Sequence, residues 1–130
     1  MKKAKLPKPT EAELAILGVL WRRGPSTVRE VWEQLSPVQR TGYTTILKLM
    51  QIMFEKGLVM RDDAQRSHVY AAARTEEQTQ RQVVGHLLER LFAGSARKLV
   101  MQALAVKKAS PAELAEIRKL LDEMEKGAAS

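Results

Sequence analysis

The chain contains no cysteine. Disulfide frameworks, zinc knuckles and thiol chemistry are thereby excluded, and no oxidising compartment is required. Aromatic residues make up only 5% of a sequence that is 45% hydrophobic, a balance that favours aliphatic helix packing over a β-sandwich. Long apolar runs are missing too. The longest, Leu14–Trp21 and Leu99–Ala105, fall well short of the roughly 20 residues a membrane-spanning helix needs. Met1-Lys2-Lys3-Ala4-Lys5 carries the charge of a signal-peptide start, but Pro7, Lys8 and Pro9 stand where an apolar segment should come next. A soluble cytoplasmic protein without membrane insertion is the expectation. No nucleophile–base pair, paired-acid site or phosphate loop is present. His68 and His86 fall in different elements without clustered carboxylates, so both read as packing or surface residues. The expectation is no catalysis, no metal and no cofactor.

At 130 residues the chain is one domain, or one domain with a small appendage. Its charge is uneven. Residues 1–74 hold 13 Lys and Arg against 7 Asp and Glu, whereas residues 75–130 hold 9 against 8. The basic excess therefore sits in the first half, as nucleic-acid binding requires. Lys2, Lys3, Lys5 and Lys8 belong to a basic flexible tail over residues 1–9, which leaves the folded part only mildly basic.

Capping boxes punctuate the chain beyond this tail. Thr10-Glu11-Ala12-Glu13 opens a first helix with Leu14, Leu17, Val19, Leu20 and Trp21 on its apolar side, stopped by Gly24-Pro25. Thr27…Glu30 opens a second, which buries Val28, Val31, Trp32 and Leu35 and ends at Ser36-Pro37. A third runs from about Thr44 to Lys56. Its Ile46, Leu49, Met50 and Met53 repeat at core spacing, while Thr44, Lys48, Gln51 and Glu55 form a polar stripe on another face. Two short strands, about Leu58–Arg61 and His68–Ala71, flank a charged turn at Asp62-Asp63-Ala64-Gln65-Arg66. Helix, turn, helix and basic-tipped ribbon over residues 10–74 is the plan of a winged helix-turn-helix. The fold expected is mainly α with a small β-wing.

From Thr75 the character changes. Thr75-Glu76-Glu77-Gln78 caps a helix to about Phe92, Gly94-Ser95 breaks it, and a further helix carries Leu99, Val100, Ala103 and Leu104. Ser110-Pro111-Ala112-Glu113 caps a last helix with Leu114, Ile117, Leu120, Leu121 and Met124, ended by Gly127. Short helices are marginal in water without packing partners. A second copy of the chain is expected to supply that surface, which makes residues 75–127 a helical dimerisation region. The candidate contacts are Val84, Leu87, Leu88, Leu91, Leu99, Leu114, Ile117 and Leu121. Met50, Met53, Met60 and Met101 read as core filler, and Lys107-Lys108 as a solvated loop.

An ordered series of segments resembles the BlaI/MecI/CopY family of penicillinase-type repressors, bacterial winged-helix transcription factors. It includes Thr10-Glu11-Ala12-Glu13-Leu14, Leu20-Trp21, Thr27-Val28-Arg29-Glu30-Val31 and Tyr43-Thr44-Thr45-Ile46. Further on come Glu55-Lys56-Gly57-Leu58-Val59, His68-Val69-Tyr70, Leu91-Phe92-Ala93-Gly94-Ser95 and Ser110-Pro111-Ala112-Glu113-Leu114. The resemblance spans about Pro9 to Glu125. It implies a homodimer whose winged helices each bind half of a palindromic operator in double-stranded DNA and block transcription. In antibiotic-responsive members a membrane sensor with a zinc peptidase domain triggers cleavage within the dimerisation region, so such a sensor joins the candidate partners.

Three departures mark this chain. Lys48 stands where the family pattern usually has Thr, and Ile52 where it has Arg, so the base-reading surface is altered. The absence of cysteine removes the copper-responsive branch. The segment matching the cleaved region reads Leu99-Val100-Met101-Gln102-Ala103-Leu104, and its Gln102-Ala103 pair fits the relay members poorly.

The DNA-binding candidates are Arg40, Tyr43, Thr44, Thr45, Lys48, Gln51 and Arg66. Thr44 and Thr45 cap the third helix, meet the DNA, or do both. Tyr43 packs under the turn or reaches a phosphate. Lys48 lacks an acid at i−4 and is the first choice for the groove; Gln51 suits an adenine edge. Arg40 and Arg66 are phosphate candidates, and Asp62 and Asp63 compete for Arg61 and Arg66. Ile52 is core or touches a thymine methyl. A winged helix that docks on another protein, without specific DNA binding, is the rival reading.

Overall fold

The computed structural model describes residues 7–64 and 66–129. Most of the tail expected over residues 1–9, and Gln65 of the charged turn, lie outside the described residues. The order is α1 (Glu11–Arg23), β1 (Ser26–Thr27), α2 (Val28–Leu35), α3 (Tyr43–Lys56), β2 (Val59–Asp62) and β3 (Val69–Ala72), then α4 (Glu76–Leu91), α5 (Ala96–Val106) and α6 (Pro111–Ala129). Two compact units divide the chain, one up to Val84 and one from Gly85. The fold is a winged helix-turn-helix with three further helices after it. No helix among the described residues is long and apolar enough to cross a membrane.

In the first unit, Ile16, Val19, Val31, Met50 and Met53 are fully buried, with Leu17, Leu20, Ile46, Leu58, Val59 and Tyr70 beside them. Aliphatic periodicity from three helices and one face of the ribbon thus converges on one core. The sheet is antiparallel with order β1-β3-β2. Arg61 faces Tyr70 and Asp62 faces Val69 across the wing, and Ser26 pairs with Tyr70 on its other side. The sequence did not predict β1. Two residues carry no periodicity, and Thr27 is also the N-cap of α2.

Both expected capping boxes form at α1 and α2, with Thr10 and Glu13 exchanging hydrogen bonds of 2.9 and 3.2 Å and Thr27 and Glu30 doing likewise. Gly57 ends α3 in the left-handed region at φ 84°. A residue with a side chain is strained there, and the reversal directs the chain into β2. Two indole N–H groups fasten the loops: Trp32 Nε1 donates to the Thr41 carbonyl at 2.9 Å and Trp21 Nε1 to that of Arg74 at 3.0 Å.

Glu13 also receives a 2.8 Å bond from Lys56 Nζ, which ties the start of α1 to the end of α3. Burial pushes its carboxyl upward. The bonds from Lys56 and the Thr10 amide, with the Lys56 charge, outweigh that and hold it below the usual carboxylate value. A depressed carboxylate contributes stability that is present above its unfolded pKa and is lost as pH falls through the folded one. Glu13→Ala should therefore destabilise the fold by about 2 kcal/mol near neutrality. The gap to the native chain should close on acidification, as denaturant titrations at several pH values can check. A gap that is constant with pH would contradict the assignment.

Three expectations are corrected. Met60 and Met101 are not core, both being 58% exposed; Met60 points to the outer face of β2, and Met101 lies on an uncovered side of α5. Gly127 does not end the last helix, which continues to Ala129; a glycine lowers helix propensity by only about 1 kcal/mol and stops a helix only when its backbone turns left-handed. Thr44 and Thr45 do not cap α3, whose N-cap is Gly42 without a side-chain bond. The helix starts at Tyr43, so both threonines fall inside its first turn, past the capping position.

Candidate nucleic-acid interface

The amphipathic pattern of α3 dictates what it presents. Ile46, Met50 and Met53 anchor it in the core, which leaves Thr44, Thr45, Lys48, Gln51 and Glu55 exposed on the opposite side. The polar stripe read from sequence is thus one solvent-facing surface that begins at the helix N-terminus. Arg40 is exposed in the turn before it.

Tyr43 does two things. Its ring meets Trp32 edge-on, with centroids 6.1 Å apart, yet it stays 41% exposed and lines an open cleft of about 530 Å³. That cleft lies between the start of α2, α3 and the wing. Arg29, Gln51, Arg66 and His68 share its walls. Gln51 and Arg66, distant in sequence, are thereby brought together with Tyr43. Thr44, Thr45 and Lys48 fall on the other flank of α3, around a second depression.

The wing separates its two arginines. Arg61 Nε donates to Asp63 Oδ1 at 2.8 Å, and its guanidinium lies 4.2 Å from the centre of the Phe54 ring. The Tyr70 hydroxyl raises its pKa above the ordinary arginine value; desolvation opposes this, and the Asp63 carboxylate adds to the rise. Asp62 is occupied elsewhere, accepting from the Ala64 amide at 2.9 Å. Arg61 therefore braces the ribbon against α3. Arg66 remains exposed and, like Arg40 and Lys48, holds no ion pair among the described residues. His68 is a surface residue of the wing with Nδ1 3.2 Å from Asp63 Oδ1.

Arg29 was missed by the sequence reading. It sits one residue inside the Thr27–Glu30 cap and is only loosely paired with Glu33 at 3.7 Å. Nothing in its local pattern distinguishes it from a solvated helix arginine; the fold alone aims it at the cleft. A surface with exposed cations on three elements around one polar helix suits a polyanion whose shape admits a helix.

In the second unit the candidate dimerisation residues divide by exposure. Val84 of the first unit, with Leu87, Leu91 and Leu121, is uncovered, Leu91 to 68%, while Leu88, Leu99, Leu114 and Ile117 are half-buried. Val100, Leu120 and Met124 are exposed as well.

Known proteins share this architecture. The family model described as penicillinase repressor matches residues 9–123. The transcriptional regulator BlaI of Mycobacterium tuberculosis is 31% identical over 127 residues, covering 95% of this chain and 90% of that protein. The penicillinase repressor of Bacillus licheniformis is 26% identical over 120 residues, covering 92% and 93%. Among solved structures, the DNA-binding domain of the repressor BlaI superposes with a TM-score of 0.51 at 26% identity, over 57% of this chain and 90% of that one. Monomeric Bacillus licheniformis BlaI in complex with the blaP half-operator gives 0.50 at 26% identity, over 56% and 89%. These are repressors and not enzymes, and with nearly the whole length matched the chain belongs to the penicillinase repressor family of transcriptional regulators.

Proposed function

We propose that this chain is a sequence-specific DNA-binding repressor that acts as a homodimer on a palindromic operator in the bacterial cytoplasm. Residues 10–74 form the DNA-binding part and 75–127 the dimerisation part. The observation that carries the reading is Lys48 on the outward stripe of α3, exposed and without an ion pair among the described residues. A major groove about 12 Å wide admits such a helix, and its N-terminal residues then face the base edges. Lys48, Thr44, Thr45 and Gln51 read or position on bases, while Arg40, Tyr43 and Arg66 hold phosphates, joined by Arg29. That monomeric BlaI of Bacillus licheniformis forms a complex with the blaP half-operator supports operator DNA as the ligand.

The uncovered Leu87, Leu91 and Leu121 support the dimer, because a second copy covers such a surface by two-fold symmetry. Release by cleavage in the Leu99–Leu104 segment carries a structural requirement. That segment lies within α5, so a peptidase that reads extended backbone needs the helix unwound first. Recovering the intact chain from induced cells that carry the cognate sensor would contradict such a route.

Salt dependence tests the central reading. Affinity for a duplex selected from a random pool should fall linearly on a logarithmic salt axis, with a slope of about −0.9 for each phosphate neutralised. Affinity that is insensitive to salt, or no enriched duplex, would favour the rival in which the winged helix docks on another protein.

A further inference from the structure

One flank of α3 is chemically unlike the rest of its exposed surface. Thr44, Thr45, Lys48, Leu49 and Ile52 surround an open depression of about 350 Å³ whose lining is almost wholly apolar. Ile52 and Leu49 are half-buried, at the border between the core face and the polar stripe. Ile52 is neither sealed into the core nor pointed at bulk solvent; its exposed part faces this depression. On a helix read as entering the major groove, an apolar recess between two threonines and a lysine needs an apolar complement. Among the base edges of that groove the C5-methyl of thymine is the one apolar group.

We infer that Ile52, with the Thr45 methyl and Leu49, forms a receptor for a thymine C5-methyl, so that each operator half-site carries an obligatory thymine opposite this flank. The inference rests on the proposed docking of α3 and adds the base that one part of it reads. Hydrogen-bonding residues discriminate by donors and acceptors; this recess discriminates by burial of a single methyl group, for which cytosine and adenine edges offer no equivalent. An arginine at this position would fill the recess with charge and select differently, so Ile52 sets the specificity of this chain at that base pair.

The test uses the native chain and duplexes it selects from a random pool, resynthesised with deoxyuridine for each thymidine in turn, which deletes only the C5-methyl. Affinity should fall roughly three- to ten-fold at one thymine per half-site, the scale of one buried methyl, and stay unchanged at the others. In Ile52→Ala the deoxyuridine penalty at that position should disappear. Thr45→Ser keeps the hydroxyl and the fold at an exposed position, and should shrink the same penalty if Ile52→Ala proves unstable. A selected half-site without thymine, a scan with no penalty, or a penalty unchanged in both variants overturns the inference while leaving duplex binding intact. Failure to select any duplex overturns the docking itself.

Discussion

Lys48→Ala is expected to weaken binding to the selected duplex by about 1–3 kcal/mol, roughly five- to 160-fold, if its ammonium meets a base. The residue is exposed, has no ion pair among the described residues to lose, and lies on the stripe opposite the buried Ile46, Met50 and Met53. Truncation should leave stability nearly unchanged, so thermal melting of the variant separates a binding defect from a folding one. The loss should also depend on sequence, being largest on the selected site and small on random duplex. A loss equal on both would reassign Lys48 to the phosphates. No loss on either would remove it from the interface.

A larger loss is expected from a change in α4, outside the winged helix. Leu91→Glu places a carboxylate on a surface that is 68% exposed in one chain, where the proposed dimer would bury it twice. Sedimentation should then report a monomer. Each freed head retains its own contacts, but the second no longer binds at high effective concentration, so affinity for the full palindrome should fall by about 10²–10⁴-fold. Affinity for an isolated half-site should barely change. For the proposed dimer to engage both halves, α4–α6 would have to hold the heads about 34–36 Å apart, or a multiple of that spacing. A variant that stays dimeric, or binds the full site as the native chain does, would show that Leu91 lies outside the interface.

How much of this is legible in the sequence depends on the physical range of each signal. Local signals are clear. The Thr10–Glu13 and Thr27–Glu30 boxes, the stop at Gly57 and the buried Ile46, Met50 and Met53 can be read from spacing alone, because capping and amphipathicity act within a few residues. Non-local ones are not. Ser26–Thr27 becomes a strand only through pairing with Val69 and Tyr70, and Arg29 acquires its place from the packing of α2 beside the wing. The contest between Asp62, Asp63, Arg61 and Arg66 cannot be decided from a list of charges; turn geometry gives Asp63 to Arg61 and Asp62 to the backbone. Met60 and Met101 show the limit of reading hydrophobicity as burial, since many apolar side chains stay on the surface and hydrophobicity alone does not say which ones are covered.

The most direct measurement is cross-linking from α3 itself, with a short photoreactive group placed at Gln51 and a control at Glu11 on the exposed start of α1. Position 51 is expected to join major-groove atoms of bases inside each half-site, once per chain and two chains per duplex, while position 11 gives no specific product. Products on the phosphodiester backbone alone, on a partner protein, or equally from both positions would contradict the proposed docking of α3.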